Sequence, residues 1–272
     1  VSDFLSDADF EKYKNFIYDK SGIFFSNSNR TILESRLRER LRTTGHETVL
    51  DYFNLISRDQ EEMRALLDSV TTNLTRFFRN AAHYDTFINY VIPDLVERKK
   101  ASGDKVFKIW SAGCSSGEEP YTNAMVLSEY LPADFKIDIL ASDLSLKSLM
   151  KAQEGFYPAS KINGIPDNYL KKYMDPVENG YIMKDSIKKL IKFDYHNLKF
   201  PSDSRNLDVV FCRNVLIYFD EAAQKNVVEG FWNSMRDHSY LFIGHSESLF
   251  GMNTKFEFIK TDWACIYGKN VK

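Results

Sequence analysis

The chain has 272 residues, of which 43% are hydrophobic and 27% charged, with a formal net charge of −2. That length supports a main domain and a smaller one, and the charge balance argues against a general nucleic-acid binder. No apolar run approaches a transmembrane span and the start carries no signal-peptide pattern, so membrane insertion is not expected. Cys114, Cys212 and Cys265 have neither paired nor metal-like spacing. An odd, sparse set suits a reducing compartment, so cytoplasm is the expectation, with no metal site.

Residues 1 to about 90 read as short helices and a linker. Ser6 followed by Asp9 is a capping-box-like start, and Phe10, Tyr13, Phe16 and Ile17 recur at helical spacing until Gly22. A second helix is predicted over about 28–43, with Ile32, Leu33, Leu37 and Leu41 as its buried stripe. Arg30, Arg36, Arg38, Arg40 and Arg42 lie in this segment against only Glu34 and Glu39. They form either a solvated face or a positive field suited to an acidic partner helix. Helical patterns follow at Val49–Ile56 and Glu62–Val70, then Thr71-Thr-Asn-Leu-Thr-Arg-Phe-Phe-Arg79. Phe77 and Phe78 suit a core anchor, whereas Asn73, Thr75 and Arg79 suit a ligand cleft. Tyr84, Phe87, Ile88, Val91 and Ile92 restart a helix that Pro93 kinks, ends or begins anew.

Val106–Trp110 reads as a buried strand that breaks into a loop carrying Gly113 and Gly117 and then a helix with Tyr121, Ala124, Met125, Leu127 and Leu131. In that arrangement an open sheet receives a nucleotide-like ligand, although an ordinary strand–turn–helix junction looks the same. The spacing is neither the dinucleotide fingerprint nor a Walker loop. Glu118 and Glu119 would repel a pyrophosphate, so an adenosyl ligand with a positive centre fits better. A second strand over Lys136–Ala141 ends in Ser142-Asp143, where Asp143 either accepts ribose hydroxyls or only caps the next helix. Residues 155–190 break the alternation and suggest an appended subdomain with a short antiparallel ribbon around Asn179-Gly180.

Further strands are predicted at Ile191–Phe193, Leu207–Cys212 and Tyr240–Ile243, with a terminal antiparallel pair at Phe256–Ile259 and Ala264–Tyr267. The result is an α/β chain with a mostly parallel sheet. Glu118, Asp143, Asn197 and Asn214 all follow candidate strands and would meet in one crevice. The two asparagines offer donors and acceptors for an adenine edge or an amino-acid moiety. His196 reads as a polar boundary residue, and there is no nucleophile elbow, H-E-x-x-H pair or cysteine cluster.

Four stretches resemble the chemotaxis receptor protein-glutamate methyltransferase family (CheR-type). They are T-T-N-L-T-R-F-F-R at 71–79, G-C-S-S-G-E-E-P-Y at 113–121, H-N-L at 196–198 and F-C-R-N-V-L-I-Y-F-D at 211–220. The resemblance implies a Rossmann-like S-adenosylmethionine methyltransferase sheet with an all-helical N-terminal domain. Residues 1–90 would be the receptor-docking domain and linker and 91–272 the methyltransferase domain, with a small inserted β-subdomain within about 156–190. It implies methyl transfer from S-adenosylmethionine to glutamates on the cytoplasmic helical bundle of chemoreceptors, with S-adenosylhomocysteine as product, in the cytoplasm at receptor arrays. The implied cofactor contacts are Asn73, Thr75, Arg79, Glu118, Asp143, Asn197, Leu198, Asn214 and Val215, with Arg79 and Tyr218 near the methyl-transfer centre. The arginine helix would dock the receptor. Some family members hold a receptor C-terminal pentapeptide on the β-subdomain, but the Asp175–Gly180 turn is short with one glycine, so tether-independent binding is expected. The alternative is an inactive signalling module that retains the cofactor cleft.

Overall fold

The computed structural model describes residues 4–71 and 74–271. The chain opens with four helices, α1 (Asp7–Ser21), α2 (Arg30–Thr44), α3 (Val49–Ile56) and α4 (Gln60–Val70). Ser6 Oγ accepts the Asp9 N–H at the start of α1, and Gly22 ends it at φ 76°, a conformation glycine adopts without steric cost. Phe10, Tyr13 and Ile17 pack with Leu33, Leu37, Leu41, Tyr52 and Leu66 into one helical core. Ile32, expected in the α2 stripe, is 50% exposed, because the stripe runs at positions 33, 37 and 41.

The next helix is built from α5 (Ala81–Thr86), a π-helical turn at Phe87–Val91 and α6 (Ile92–Ser102). Pro93 therefore neither ends nor restarts the helix. The Ile92 N–H donates to Phe87 O, one residue beyond α-helical spacing, and the widened turn accommodates a ring that clashes with a regular one.

Strands and helices then alternate: β1 (Val106–Ala112), α7 (Glu118–Tyr130), β2 (Lys136–Asp143), α8 (Leu146–Glu154), β3 (Phe156–Pro158), α9 (Asp167–Tyr173), β4 (Met174–Val177), β5 (Gly180–Met183) and α10 (Asp185–Lys188). After these come β6 (Ile191–Tyr195), β7 (Leu207–Cys212), α11 (Glu221–Ser234), β8 (Met235–Ile243), β9 (Glu257–Lys260) and β10 (Cys265–Lys269). The large sheet has the order β6-β2-β1-β7-β8-β10-β9, parallel from β6 to β8 and antiparallel at β10 and β9. Successive strands run outward from β1 to β2 and β6 on one side and from β7 to β8 on the other. The order reverses between β1 and β7, and at such a switch point the carboxyl ends leave a crevice.

Every residue of β7 is buried, as a central parallel strand covered on both faces requires. Its one charged residue, Asp208, is satisfied by Lys99 at 2.9 Å, Arg236 at 3.2 Å and the Lys108 N–H at 2.7 Å. The small sheet, ordered β3-β5-β4, contains the expected ribbon, with Asn179 at φ 65° in its turn. Its third strand, β3, carries no alternating pattern in three residues and went unread in the sequence.

Candidate active site

The switch-point crevice is a cleft of about 880 Å³ including its mouth, walled by the carboxyl ends of β1, β2, β6 and β7, by Thr71, Leu74, Thr75 and Arg79, and by the end of α1. Its floor is the glycine loop after β1. The Gly113 and Cys114 N–H groups both donate to Ser142 O, at 2.8 and 2.9 Å, clipping the loop to the end of β2. Gly113 sits at φ 79°, and a Cβ there would lie 2.4 Å from Val215 Cγ2, so the loop after β7 closes directly on it.

Asp143 both caps and faces the cleft. One carboxylate oxygen accepts the Ser145 N–H at 2.8 Å and the other the Ser115 N–H at 2.7 Å, leaving a lone pair on each for a vicinal diol. Burial pushes its carboxyl above the usual range, while those backbone donors oppose the shift. The His196 N–H donates to the Asp143 carbonyl at 3.1 Å, bringing the end of β6 alongside.

Buried polar atoms normally find partners. Around this cleft Ser115 Oγ, His196 Nε2 and Asn214 Oδ1 have none within the protein. Asn214 is held at φ 60°, with its N–H donating to Glu247 at 2.8 Å, so a strained backbone presents this side chain. A diol-ready carboxylate, a hydroxyl, an imidazole nitrogen and an amide oxygen form the donor and acceptor set that an adenosyl ligand requires. S-adenosylmethionine therefore fits the residues present.

Of the residues singled out in the sequence, Thr75, Arg79, Asp143, Asn197, Leu198, Asn214, Val215 and Tyr218 line this cleft. Asn197 does so with its amide partly committed. Its Nδ2 donates to Lys20 O at 2.7 Å and its Oδ1 accepts the Lys199 N–H at 3.0 Å, tying the end of α1 to the loop after β6. Tyr218 is half-buried in a short 3-10 turn, Leu216–Tyr218, whose last carbonyl accepts the Phe24 N–H at 2.8 Å. Asn73 lies outside the described residues.

Glu118 departs from expectation. It is 1% exposed, accepts from Ser116 Oγ at 2.8 Å, and faces a neighbouring hollow that also contains Lys151 and Lys161. Burial raises its pKa. Glu119 lines the cofactor cleft instead, since adjacent helical residues point about 100° apart. Thr71 borders both hollows.

Glu119 belongs to a buried assembly that the sequence reading missed. Its Oε1 accepts from Ser111 Oγ at 2.7 Å and its Oε2 from Arg213 Nε at 2.7 Å. Arg213 Nη1 donates to the Arg79 carbonyl at 2.6 Å and lies 3.3 Å from His83 Nδ1, while Nη2 donates to Tyr84 Oη at 3.3 Å. Burial, then the Arg213 charge, pulls the His83 pKa down to about 4, which keeps that imidazole neutral and able to accept. Arg79 folds back to donate to Leu74 O at 2.8 Å. Arg213 follows a buried strand directly, as Asn214 nearly does, and that position was the available signal.

The five arginines do not form one free face. Arg40 makes a two-pronged pair with Glu62 at 2.9 and 2.7 Å, and Arg30 binds Asp7, Glu34 and the Leu5 carbonyl. Both therefore have intramolecular partners, where the sequence reading takes them as receptor-docking groups. Arg36 lies 3.7 Å from Glu39, Arg38 stacks over Phe4 at 3.8 Å, and Arg38 and Arg42 are exposed.

No helix among the described residues is long and apolar enough to cross a membrane, and no cluster there has a metal-binding arrangement. Residues 8–71 match the family described as CheR methyltransferase, all-alpha domain, and residues 73–265 match CheR methyltransferase, SAM binding domain. A chemotaxis protein methyltransferase of Borreliella burgdorferi is 40% identical over 253 residues, covering 89% of this chain and 88% of that one. Chemotaxis protein methyltransferase 2 of Vibrio cholerae is 35% identical, with 93% and 89% covered. The Escherichia coli chemotaxis protein methyltransferase is 32% identical, with 93% and 88% covered. With both parts of the chain matched in order around a cleft of this chemistry, the chain belongs to the CheR family of S-adenosylmethionine-dependent methyltransferases.

Proposed function

We propose that the chain methylates specific glutamate side chains on the cytoplasmic helical bundle of chemoreceptors, giving glutamate methyl esters for chemotactic adaptation. The observation that carries this reading is the placement of Arg79 and Tyr218 on the same cleft as Asp143 and Asn214, at the sheet's switch point. The bound S-adenosylmethionine supplies an electrophilic methyl on a sulfonium centre. Asp143 would accept from its ribose, and Ser115, His196 and Asn214 would offer hydrogen bonds to its base and amino-acid ends.

A glutamate acceptor is already ionised near neutral pH, so no residue has to act as a strong base and no proton moves. The protein's work is to align one carboxylate oxygen opposite the sulfur–methyl bond and to exclude water. Arg79 orients either that carboxylate or the cofactor's own, and Tyr218 packs or hydrogen-bonds beside the acceptor. An Arg79 interaction with the acceptor is necessarily loose, because the acceptor's charge is neutralised in the transition state and a tight ground-state pair would oppose transfer.

The exposed Arg38 and Arg42 suit an acidic receptor surface. The β4–β5 turn has only Glu178 and Asn179 between paired residues, which favours receptor binding without a pentapeptide tether. In this reading residues 1–90 dock the receptor, 91–272 carry the chemistry, and the enzyme works in the cytoplasm at receptor arrays.

The test is transfer of labelled methyl from S-adenosylmethionine to purified receptor cytoplasmic domains. Base-labile label on glutamate is expected. Cofactor binding with no transfer to the organism's own receptors would instead favour a non-catalytic signalling module.

A further inference from the structure

The loop after β7 brings Asn214, Val215 and Tyr218 to the cofactor cleft. Apart from the 3-10 turn Leu216–Tyr218 it is irregular, so its backbone groups need partners from elsewhere in the chain. Its carbonyls are met by Gln224, whose Nε2 donates to Leu216 O and Phe219 O at 3.0 Å each, and by the Phe24 N–H, which donates to Tyr218 O at 2.8 Å. Two of its N–H groups converge on a single carboxylate from the loop after β8. Glu247 Oε2 accepts from the Asn214 N–H at 2.8 Å and from the Gly244 N–H, and Oε1 accepts from the Ile217 N–H at 3.2 Å.

Backbone donors gathered in this way form a concavity that favours an anion, and hydrogen bonds to an ionised acceptor are stronger than neutral ones. That strength is needed at Asn214, held at φ 60°, a conformation a non-glycine residue keeps only where its surroundings impose it. The same residue carries the buried Oδ1 that has no partner within the protein. Gly244 makes the fit possible. A Cβ there would lie 2.5 Å from Glu247 Oε2 and 2.9 Å from both Asn214 N and Asn214 Nδ2. Glu247 itself is half-buried and does not line the cofactor cleft.

We propose that Glu247 is a positioning residue for methyl transfer. Its carboxylate, seated on the Asn214, Ile217 and Gly244 N–H groups, sets where Asn214 Oδ1 meets the cofactor and where Tyr218 stands beside the acceptor. It touches neither and acts through the backbone that carries them. The Asn214 half of the inference needs only the cofactor, and the Tyr218 half rests on the protein-carboxylate reading.

The test uses the full chain carrying Glu247→Gln, Glu247→Asp or Gly244→Ala, with Ser246→Ala as an exposed control in the same loop. The amide of Glu247→Gln keeps the shape but sets an NH2 group against at least one N–H donor. S-adenosylhomocysteine affinity is measured by calorimetric titration, kcat and KM with a receptor cytoplasmic domain, and stability by thermal unfolding. Glu247→Gln is expected to weaken S-adenosylhomocysteine binding about fivefold to tenfold and to lower kcat about tenfold, with KM for the receptor domain and the behaviour of Ser246→Ala unchanged. In N214A/E247Q the affinity is expected to stay within about twofold of Asn214→Ala alone, because Glu247 acts through the residue already removed. Wild-type affinity and kcat in Glu247→Gln overturn the proposal, even with a lowered unfolding midpoint, since Glu247 then only stabilises the fold. Losses that multiply in the double variant overturn it too. Glu247→Asp and Gly244→Ala shift the carboxylate without removing it, so the same readouts decide the matter should Glu247→Gln not fold. The binding arm needs no acceptor. A receptor domain left unmethylated by the wild type therefore counts against the functional reading, while the affinities still decide this inference.

Discussion

Arg213 Nη1 donates to the carbonyl oxygen of Arg79 at 2.6 Å, so a guanidinium at the end of β7 holds the backbone of the residue proposed to orient the acceptor or cofactor carboxylate. Arg213→Lys keeps the charge, but one ammonium does not span Glu119, Arg79 and Tyr84 together. The kcat is expected to fall about tenfold to a hundredfold, with a smaller change in cofactor affinity. Steady-state kinetics alongside calorimetric titration separate the two, and normal turnover in R213K would release Arg213 from a positioning role.

Asp143 makes cofactor binding pH-dependent. Burial lifts its folded-state pKa, against the pull of the Ser145 and Ser115 N–H groups. The ionised form is the better acceptor for ribose, so affinity is full above that raised pKa and declines by up to about tenfold per pH unit below it. Stability moves the other way. A carboxyl whose folded pKa exceeds its unfolded value favours the fold on the acid side, and that contribution disappears as pH rises through the folded pKa. Titrations across the acid range are expected to show the decline in the wild type and a flat, weak profile in Asp143→Asn.

Glycine at 113 answers two demands that a comparison with Gly45 separates. Both have positive φ, 79° and 72°, but nothing lies within 4 Å of a Cβ at Gly45, whereas Val215 is 2.4 Å from one at Gly113. Gly45→Ala is expected to cost about 1 kcal/mol, the backbone penalty alone. Gly113→Ala costs more and abolishes cofactor binding, and G113A/V215A recovers the steric part. Urea unfolding of the three variants decides this.

Arg40 and Arg42 are expected to behave as different kinds of residue. Glu62 accepts two bonds from Arg40 and one from Tyr52 Oη at 2.6 Å, so Arg40→Ala strands a partly buried carboxylate and costs about 1–3 kcal/mol. Arg42→Glu leaves stability within about 0.5 kcal/mol and weakens receptor binding. Equal unfolding midpoints for both variants would contradict the assignment.

What the sequence discloses follows from local physics. A strand buried on both faces, such as β7, is written as a continuous apolar run, and polar residues after strands mark the ligand crevice. The choice between Glu118 and Glu119 was not legible, because two identical neighbours differ only in helical phase, and phase depends on where α7 begins. The Arg40 pairing was hidden for another reason: its partner lies 22 positions away, on α4. Arg213 gave no apolar signal, since its burial is sustained by tertiary partners: the Glu119 ion pair, hydrogen bonds, and the Tyr84 and Phe211 rings.

The isolated β-bridge between Ile23 and Phe219, with Asn197 bonded to Lys20 O and Ser21 and Ile23 lining the cleft, makes the tail of α1 a side of the methyl-donor chamber. A fragment starting after residue 71 would carry the complete sheet yet hold its donor in an open-sided vessel, leaking water onto the sulfonium. The helices are thus inseparable from the catalyst, and a chimera that exchanges them to redirect receptor choice has to carry over residues 18–25 from the parent enzyme.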